Sequence, residues 1–232
     1  MKPILKTNLA AALWLGGVIL APADVITWST GFANGGLIPD GSSVGWTDSR
    51  TLSGLPISSI TDVSVSLTIN GGWNGDYYAY LTHGSGFSVL LNGVGHTASD
   101  SFGYDDAGLN VTLDDGAANG DIHLYQNVSG YAALLAGGGS FQPDGRNVNP
   151  LTVVDTDVRT RLLAQFNGLD PNGEWTLVVA DLSNGEQGTV TSWGLEIVGV
   201  PEPSQVAGMT LVALGLGAWV GLRLMRRTQI PS

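Results

Sequence analysis

In short stretches between residues 60 and 198 apolar side chains alternate with polar ones, and that period of two restricts those stretches to strands with one buried face. In Asp62-Val63-Ser64-Val65-Ser66-Leu67-Thr68-Ile69, the residues Val63, Val65, Leu67 and Ile69 share a side. The same reading predicts strands at 76–81 (DYYAYL), 87–91 (FSVLL), 109–113 (LNVTL), 174–180 (EWTLVVA) and 188–198 (GTVTSWGLEIV). Each is bounded by Gly, Asn or Asp clusters that supply turns. Trp175 alternates with Leu177 and Val179, and Trp193 with Leu195 and Ile197, so both tryptophans are expected in the core. One short helical turn is expected within 157–166, where Val158, Leu162, Leu163 and Phe166 form a stripe that core packing explains. Residues 24–48 read as an opening strand and a loop carrying Trp28 and Trp46. The expected architecture is all-β, a two-sheet sandwich.

With 232 residues, 43% of them hydrophobic, the chain can bury a core without help. It has no cysteine, so neither disulfides nor thiolate metal sites contribute. The net charge of −11 understates the acidity of the middle, because Lys2, Lys6, Arg223, Arg226 and Arg227 all lie near the ends. Residues 24–200 hold four basic side chains against nineteen acidic ones, sixteen of them Asp. Such a surface repels phosphate backbones, so a nucleic acid partner is not expected.

The two ends differ from the body. Lys2 and Lys6 precede an apolar run from Leu9 to Leu20 and then Ala21-Pro22-Ala23, the pattern of a secretory signal peptide over residues 1–23. Residues 206–222 form an uncharged run, followed by Arg223, Arg226 and Arg227. At ~1.5 Å per residue this helix nearly crosses a ~30 Å hydrocarbon layer, with the arginines left on the cytoplasmic side. Before it, the segment from Val200 to Ser204 reads as an extended, exposed linker, because Pro201 and Pro203 cannot continue a strand or helix. The body is therefore assigned to 24–199 and the tail to 200–232.

Pro201-Glu202-Pro203, a single spanning segment and a terminal arginine cluster together resemble the PEP-CTERM sorting signal of exported Gram-negative bacterial proteins. The resemblance implies recognition by an exosortase, a membrane protease that removes such a tail near the PEP motif. It also implies delivery to the cell surface or to an extracellular polysaccharide matrix, with membrane attachment as a passing stage.

The body has a second resemblance. Gly75-Asp76-Tyr77-Tyr78-Ala79-Tyr80-Leu81-Thr82-His83-Gly84-Ser85-Gly86 is similar to the glycine–aspartate hairpin of the proprotein convertase P domain (P/Homo B). Leu113-Asp114-Asp115-Gly116-Ala117 and Ser140-Phe141-Gln142-Pro143-Asp144-Gly145 continue it. The strongest part runs from Leu163 to Ile197 and includes Asn172-Gly173-Glu174-Trp175-Thr176-Leu177, Asp181 and Gly188-Thr189-Val190-Thr191-Ser192-Trp193-Gly194-Leu195-Glu196-Ile197. It resembles the family over 60–198 and implies a jelly-roll β-sandwich of the galactose-binding type. His83-Gly84 departs from the family's serine and proline, and the chain has no room for a subtilisin-like catalytic domain before residue 60.

Candidate chemistry is sparse, and no catalytic residue is assigned. Gly41-Ser42-Ser43-Val44-Gly45 matches G-x-S-x-G, but that elbow needs a strand before it and a helix after it. His83, His96 and His123 lack a metal-ligand spacing and are expected at exposed turns or strand positions. Asp181 is expected to cap the turn Leu182-Ser183-Asn184-Gly185. Calcium is the cofactor the composition suggests, since Asp105-Asp106, Asp155-x-Asp157, Asp76, Asp114 and Asp115 place hard oxygen donors on short loops. Of these, Asp76, Asp114 and Asp115 coincide with the P-domain resemblance and are the candidate ligands. Trp73, Tyr77 and Tyr78, flanked by Asn74 and Asp76, are the candidate contacts for a sugar.

These features fit a non-enzymatic exported protein that binds polysaccharide or another surface protein, or that builds structure. The alternatives are a polysaccharide-acting hydrolase on the same sandwich and an accessory module for a separately encoded protease. The tail generates the first prediction. Intact mass measured on protein recovered from the medium should end near Pro201 to Ser204, and a mass that retains Arg226 and Arg227 would remove the sorting signal.

Overall fold

The computed structural model describes residues 25–203. The segments expected to be a signal peptide (1–23) and a membrane span (206–222) lie outside the described residues. Among the described residues no helix is long and apolar enough to cross a membrane.

Ten strands make up nearly half of the described residues: β1 (Ile26–Phe32), β2 (Gly36–Leu37), β3 (Ser42–Leu52), β4 (Ile57–Trp73), β5 (Tyr77–His83), β6 (Gly86–Asn92), β7 (Ala107–Asp114), β8 (Gly139–Phe141), β9 (Gly173–Asp181) and β10 (Gly188–Pro201). They form two sheets. One has the order β1-β10-β4-β7-β8 with β2 also on β10, and the other has the order β3-β9-β5-β6. The pairings are antiparallel except β7 with β8.

Alternation produces this arrangement directly. Val63, Val65, Leu67 and Ile69 of β4, Trp175, Leu177 and Val179 of β9, and Trp193, Leu195 and Ile197 of β10 all point between the sheets and are buried. The core is therefore built from every second residue of strands that lie in different sheets. A polar contact crosses it: Trp193 on β10 donates its indole N–H to Asp48 Oδ2 on β3 at 2.7 Å. Burial pushes the Asp48 carboxyl up, but the donors of Arg50, Trp193 and Asn34 outweigh it and hold the group below its usual range.

One expectation is met and three are corrected. Trp46 lies on strand β3 rather than in a loop, paired with Val179. The short helical turn expected within 157–166 is present as a 3₁₀ turn at Leu163–Phe166, with Val158 exposed outside it. An α-helix, α1 (Tyr131–Gly137), forms where no helix was expected, in a stretch without a clear stripe, bounded by Gly130 and Gly138 in left-handed conformation. Finally, the linker expected from Val200 begins later, because β10 runs through Pro201, which pairs with Ile57 and is buried. Proline fits there because the register shifts between Val200 and Pro201, so no ladder N–H is missed. Glu202 then donates its amide to Pro56 O at 3.0 Å, and Pro203 is exposed.

Candidate functional site

One end of the sandwich collects most of the chemically interesting side chains. Strand β4 ends in Gly71 and Gly72, both at positive φ, and a Cβ on Gly72 would collide with the Tyr77 hydroxyl. That turn leads through Trp73 into a 3₁₀ turn at Asn74–Asp76, which delivers the chain to β5 in the other sheet. Asn74 anchors it, donating Nδ2 to Gly108 O at 2.9 Å and to the Tyr125 hydroxyl at 3.2 Å.

The three proposed sugar contacts separate here. Tyr77 is fully buried and donates its hydroxyl to Gly71 O at 2.7 Å, so it braces the turn and does not meet a ligand. Tyr78 points to the opposite face of the sheet, half-buried, with its ring 5.6 Å from Tyr80. Trp73 is 41% exposed and lies against Gly185. Strand alternation separates the two tyrosines, and Trp73 alone of the three presents an open ring at the turn.

The proposed calcium ligands separate as well. Asp114, in register with Ser64 on the larger sheet, accepts from Ser64 Oγ at 2.9 Å and from the Gly116 amide at 2.6 Å. Asp115 caps the 3₁₀ turn at Leu163–Phe166, accepting from the Leu163 amide at 3.0 Å and the Ala164 amide at 2.7 Å. Asp114 is thus hydrogen-bonded to a side chain of β4 and to its own turn, and Asp115 to a turn of a distant segment. Asp76 leads into the other sheet and has different neighbours: Asp181, Asp40, His96 and Ser183. Burial pushes Asp76 above the usual carboxylate range, against the favourable Ser183 hydroxyl and His96.

Asp181 does not cap the turn that follows it. Its side chain is turned inward, wholly buried, and neither carboxylate oxygen completes a hydrogen bond, although the Ser183 amide leans toward it. Asp40 serves the turn instead, accepting from the Gly185 amide at 3.1 Å. Burial, followed by the charge of Asp76, pushes Asp181 up to about 7.

The histidines are all buried, contrary to expectation. Backbone carbonyls explain this. His83 stacks on Trp175 at 4.0 Å between ring centroids, with its nitrogens 2.9 Å from Glu174 O and 2.7 Å from Asp170 O. His123 has Nδ1 at 2.7 Å from Asp144 Oδ2 and Nε2 at 2.9 Å from His96 O. His96 leaves Nε2 without a partner, and burial lowers its pKa.

Around His123 lies a network that the sequence reading missed. Arg146 contacts Asp121 Oδ2 at 2.8 Å and Asp144 Oδ1 at 3.3 Å, and Arg159 donates to Asp144 O at 3.0 Å and Pro143 O at 2.7 Å. The Asp144 and Gly145 amides bond Leu90 O and Val89 O on β6, so the network clamps the loop after β8 to the edge of the smaller sheet. Asp144-Gly145-Arg146 was the available signal, since it holds one of only four arginines in the body.

Among the described residues, surface recesses lie in three places of interest. One, about 510 Å³, lies over Ser29, Gly31, Ser64, Ser66, Thr112 and Glu196 on the outer face of the larger sheet. Another, about 360 Å³, lies between β7 and α1. The smallest, about 60 Å³, is lined by Asp76, His96, Leu151 and Ser183 at the Trp73 end. Ser43 of the G-x-S-x-G match lies exposed on β3, without the strand-to-helix bend that an elbow requires.

Comparison with known proteins places this geometry. The family model of the proprotein convertase P-domain matches residues 147–197, which take in the chain that follows Arg146, β9 and most of β10. This part of the body is P-domain-like, while the resemblance at 75–86, 113–117 and 140–145 lies outside the matched residues. No curated protein matches the chain in sequence. Among solved structures, the serine protease of Aeromonas sobria is 14% identical with a TM-score of 0.43, over 78% of this chain and 28% of that one. The same protease in complex with its chaperone gives 13% identity and 0.43, over 77% and 28%. The chain thus spans less than a third of the length of those proteins.

His123 generates a pH prediction. Burial alone would lower its pKa, but the Asp144 carboxylate outweighs that and raises it, with His96 and Arg146 as the other groups facing it. A raised folded value means the contribution is complete below the ordinary value of about 6.5 and is lost as pH climbs through the folded value. Urea midpoints should therefore fall between pH 6 and 8.5, with a shallower fall in His123→Gln. At pH 6 that variant should lose about 1–3 kcal/mol, because Asp144 loses a charged donor.

Proposed function

We propose that this protein is an exported, non-enzymatic P-domain-like module that acts by docking, as an accessory to a protease encoded on a separate chain. The observation that carries the reading is the P-domain match over 147–197, which falls on the paired strands of both sheets. The chemistry supports it. The His–carboxylate ion pair among the described residues, His123–Asp144, is fully buried with both ring nitrogens engaged, so it has no route to a substrate proton. The proposal includes delivery by the PEP-CTERM-like tail, with an exosortase as processing partner and the envelope or extracellular matrix of a Gram-negative bacterium as destination.

Chemical cross-linking in the native envelope, followed by mass spectrometry, tests the docking. The expected outcome is a discrete adduct with a subtilisin-like protease that lacks a P domain of its own. A protein that stays monomeric and unlinked in the envelope would overturn it.

A second reading, polysaccharide binding, is favoured by one feature: Trp73 presents 41% of its surface beside polar loops. Trp73→Ala should leave stability within about 0.5 kcal/mol, as expected for an exposed side chain. Under this reading it should also abolish retention on the producing organism's polysaccharide. Unchanged retention would leave docking alone.

A further inference from the structure

Two carboxylates meet at the Trp73 end of the sandwich with no cation to neutralise them. Asp76 closes the 3₁₀ turn before β5 and Asp181 closes β9, and the two are held together by the Tyr77–Asp181 register and by the Leu182 amide on Asp76 O at 3.0 Å. Asp181 is 0% exposed and Asp76 is 7% exposed. Both oxygens of Asp181 lack a hydrogen-bond partner. Asp40 lies close enough to oppose the ionised form of each.

Among the described residues no lysine or arginine is available as a counter-charge to the pair. Residues 25–203 contain no lysine. Arg50 is held by Asp48, Arg146 and Arg159 by Asp121 and Asp144, and Arg161 bonds Gln165. His96 is the nearest base, and burial favours its neutral form. A buried, unpartnered carboxylate beside a second one is among the least favourable arrangements a protein interior can hold.

We propose that Asp76 and Asp181 hold a calcium ion, with backbone carbonyls and water completing its oxygen shell. The donor set decides the metal. Among the described residues no three His, Cys, Asp or Glu side chains converge as a metal cage, so the site has two carboxylates and must draw on carbonyls and water. Zinc prefers four nitrogen or sulfur ligands, whereas calcium takes six to eight oxygens at about 2.3–2.6 Å in flexible geometry. The recess of about 60 Å³ beside Asp76 admits water, which needs about 10–15 Å³. Asp181 is paired with both Ser42 and Tyr77, so an ion there would tie β3, β9 and β5 together where Trp73 emerges. This inference holds whether or not the docking reading stands.

The test is thermal unfolding of the full chain in detergent at pH 7.5, in EDTA and in calcium, together with terbium luminescence sensitised through tryptophan. Calcium at ~100-fold excess over its dissociation constant should raise the midpoint by about 5 °C or more. Terbium should luminesce and be displaced by calcium. Asp181→Asn should abolish both responses while raising the midpoint in EDTA, since the amide carries no charge; Asp76→Asn gives the same reading if the first variant does not fold. Asp114→Asn should keep both responses. Absence of a calcium shift in the unsubstituted protein, or its survival in Asp181→Asn, overturns the proposal. A midpoint that rises on acidification but ignores calcium assigns the pair a shared proton and overturns it equally.

Discussion

The indole N–H of Trp193 on Asp48 Oδ2, 2.7 Å across the sandwich, gives the two sheets a fixed relation to each other. Apolar burial supplies the attraction between them, but it is non-directional and tolerates sliding. A hydrogen bond to a buried carboxylate does not. Asp48 also receives Asn34 Nδ2 and Arg50 Nε at 2.8 Å each, so the group that positions Trp193 is itself positioned from its own strand and from the loop between β1 and β2. Phe32 packs on Trp193 at 4.6 Å and carries Arg50 over its ring, which closes a small cluster around the bond.

The strands were legible because a half-buried strand writes its burial into the sequence every second residue. Val63 to Ile69, Trp175 to Val179 and Trp193 to Ile197 all fall where alternation puts them. What alternation does not encode is the partner of a polar side chain. The histidines looked like surface residues, yet His83 and His123 are buried because carbonyls and one carboxylate from distant segments meet their nitrogens. Asp181 looked like a turn cap, and its place in the strand turns it inward instead. Of the proposed contacts Trp73 remained open, Tyr77 closed, Asp114 bonds Ser64 on β4, and Asp115 bonds the distant Leu163 and Ala164 amides. In each case the deciding contact is non-local, or depends on a single side-chain rotation.

The acidic surplus of the body divides into two kinds of carboxylate. Asp121 and Asp144 are matched by Arg146 and Arg159, and together they hold a long irregular loop without help from regular structure. Asp76 and Asp181 have no such match. The four arginines of the body are distributed so that Asp121 and Asp144 are paired while Asp76 and Asp181 have no arginine beside them.

Strand β10 lies between β1 and β4, with Gly199 opposite Ile26, although it is the last strand of the body. The first strand therefore waits, unpaired on that edge, until nearly the whole body has been supplied. Contacts of such sequence separation make folding slow and strongly non-local. The larger sheet therefore cannot close around β10 until the body is nearly complete, and a partial chain that stops short of residue 188 lacks the strand on which β1, β2 and β4 all pair.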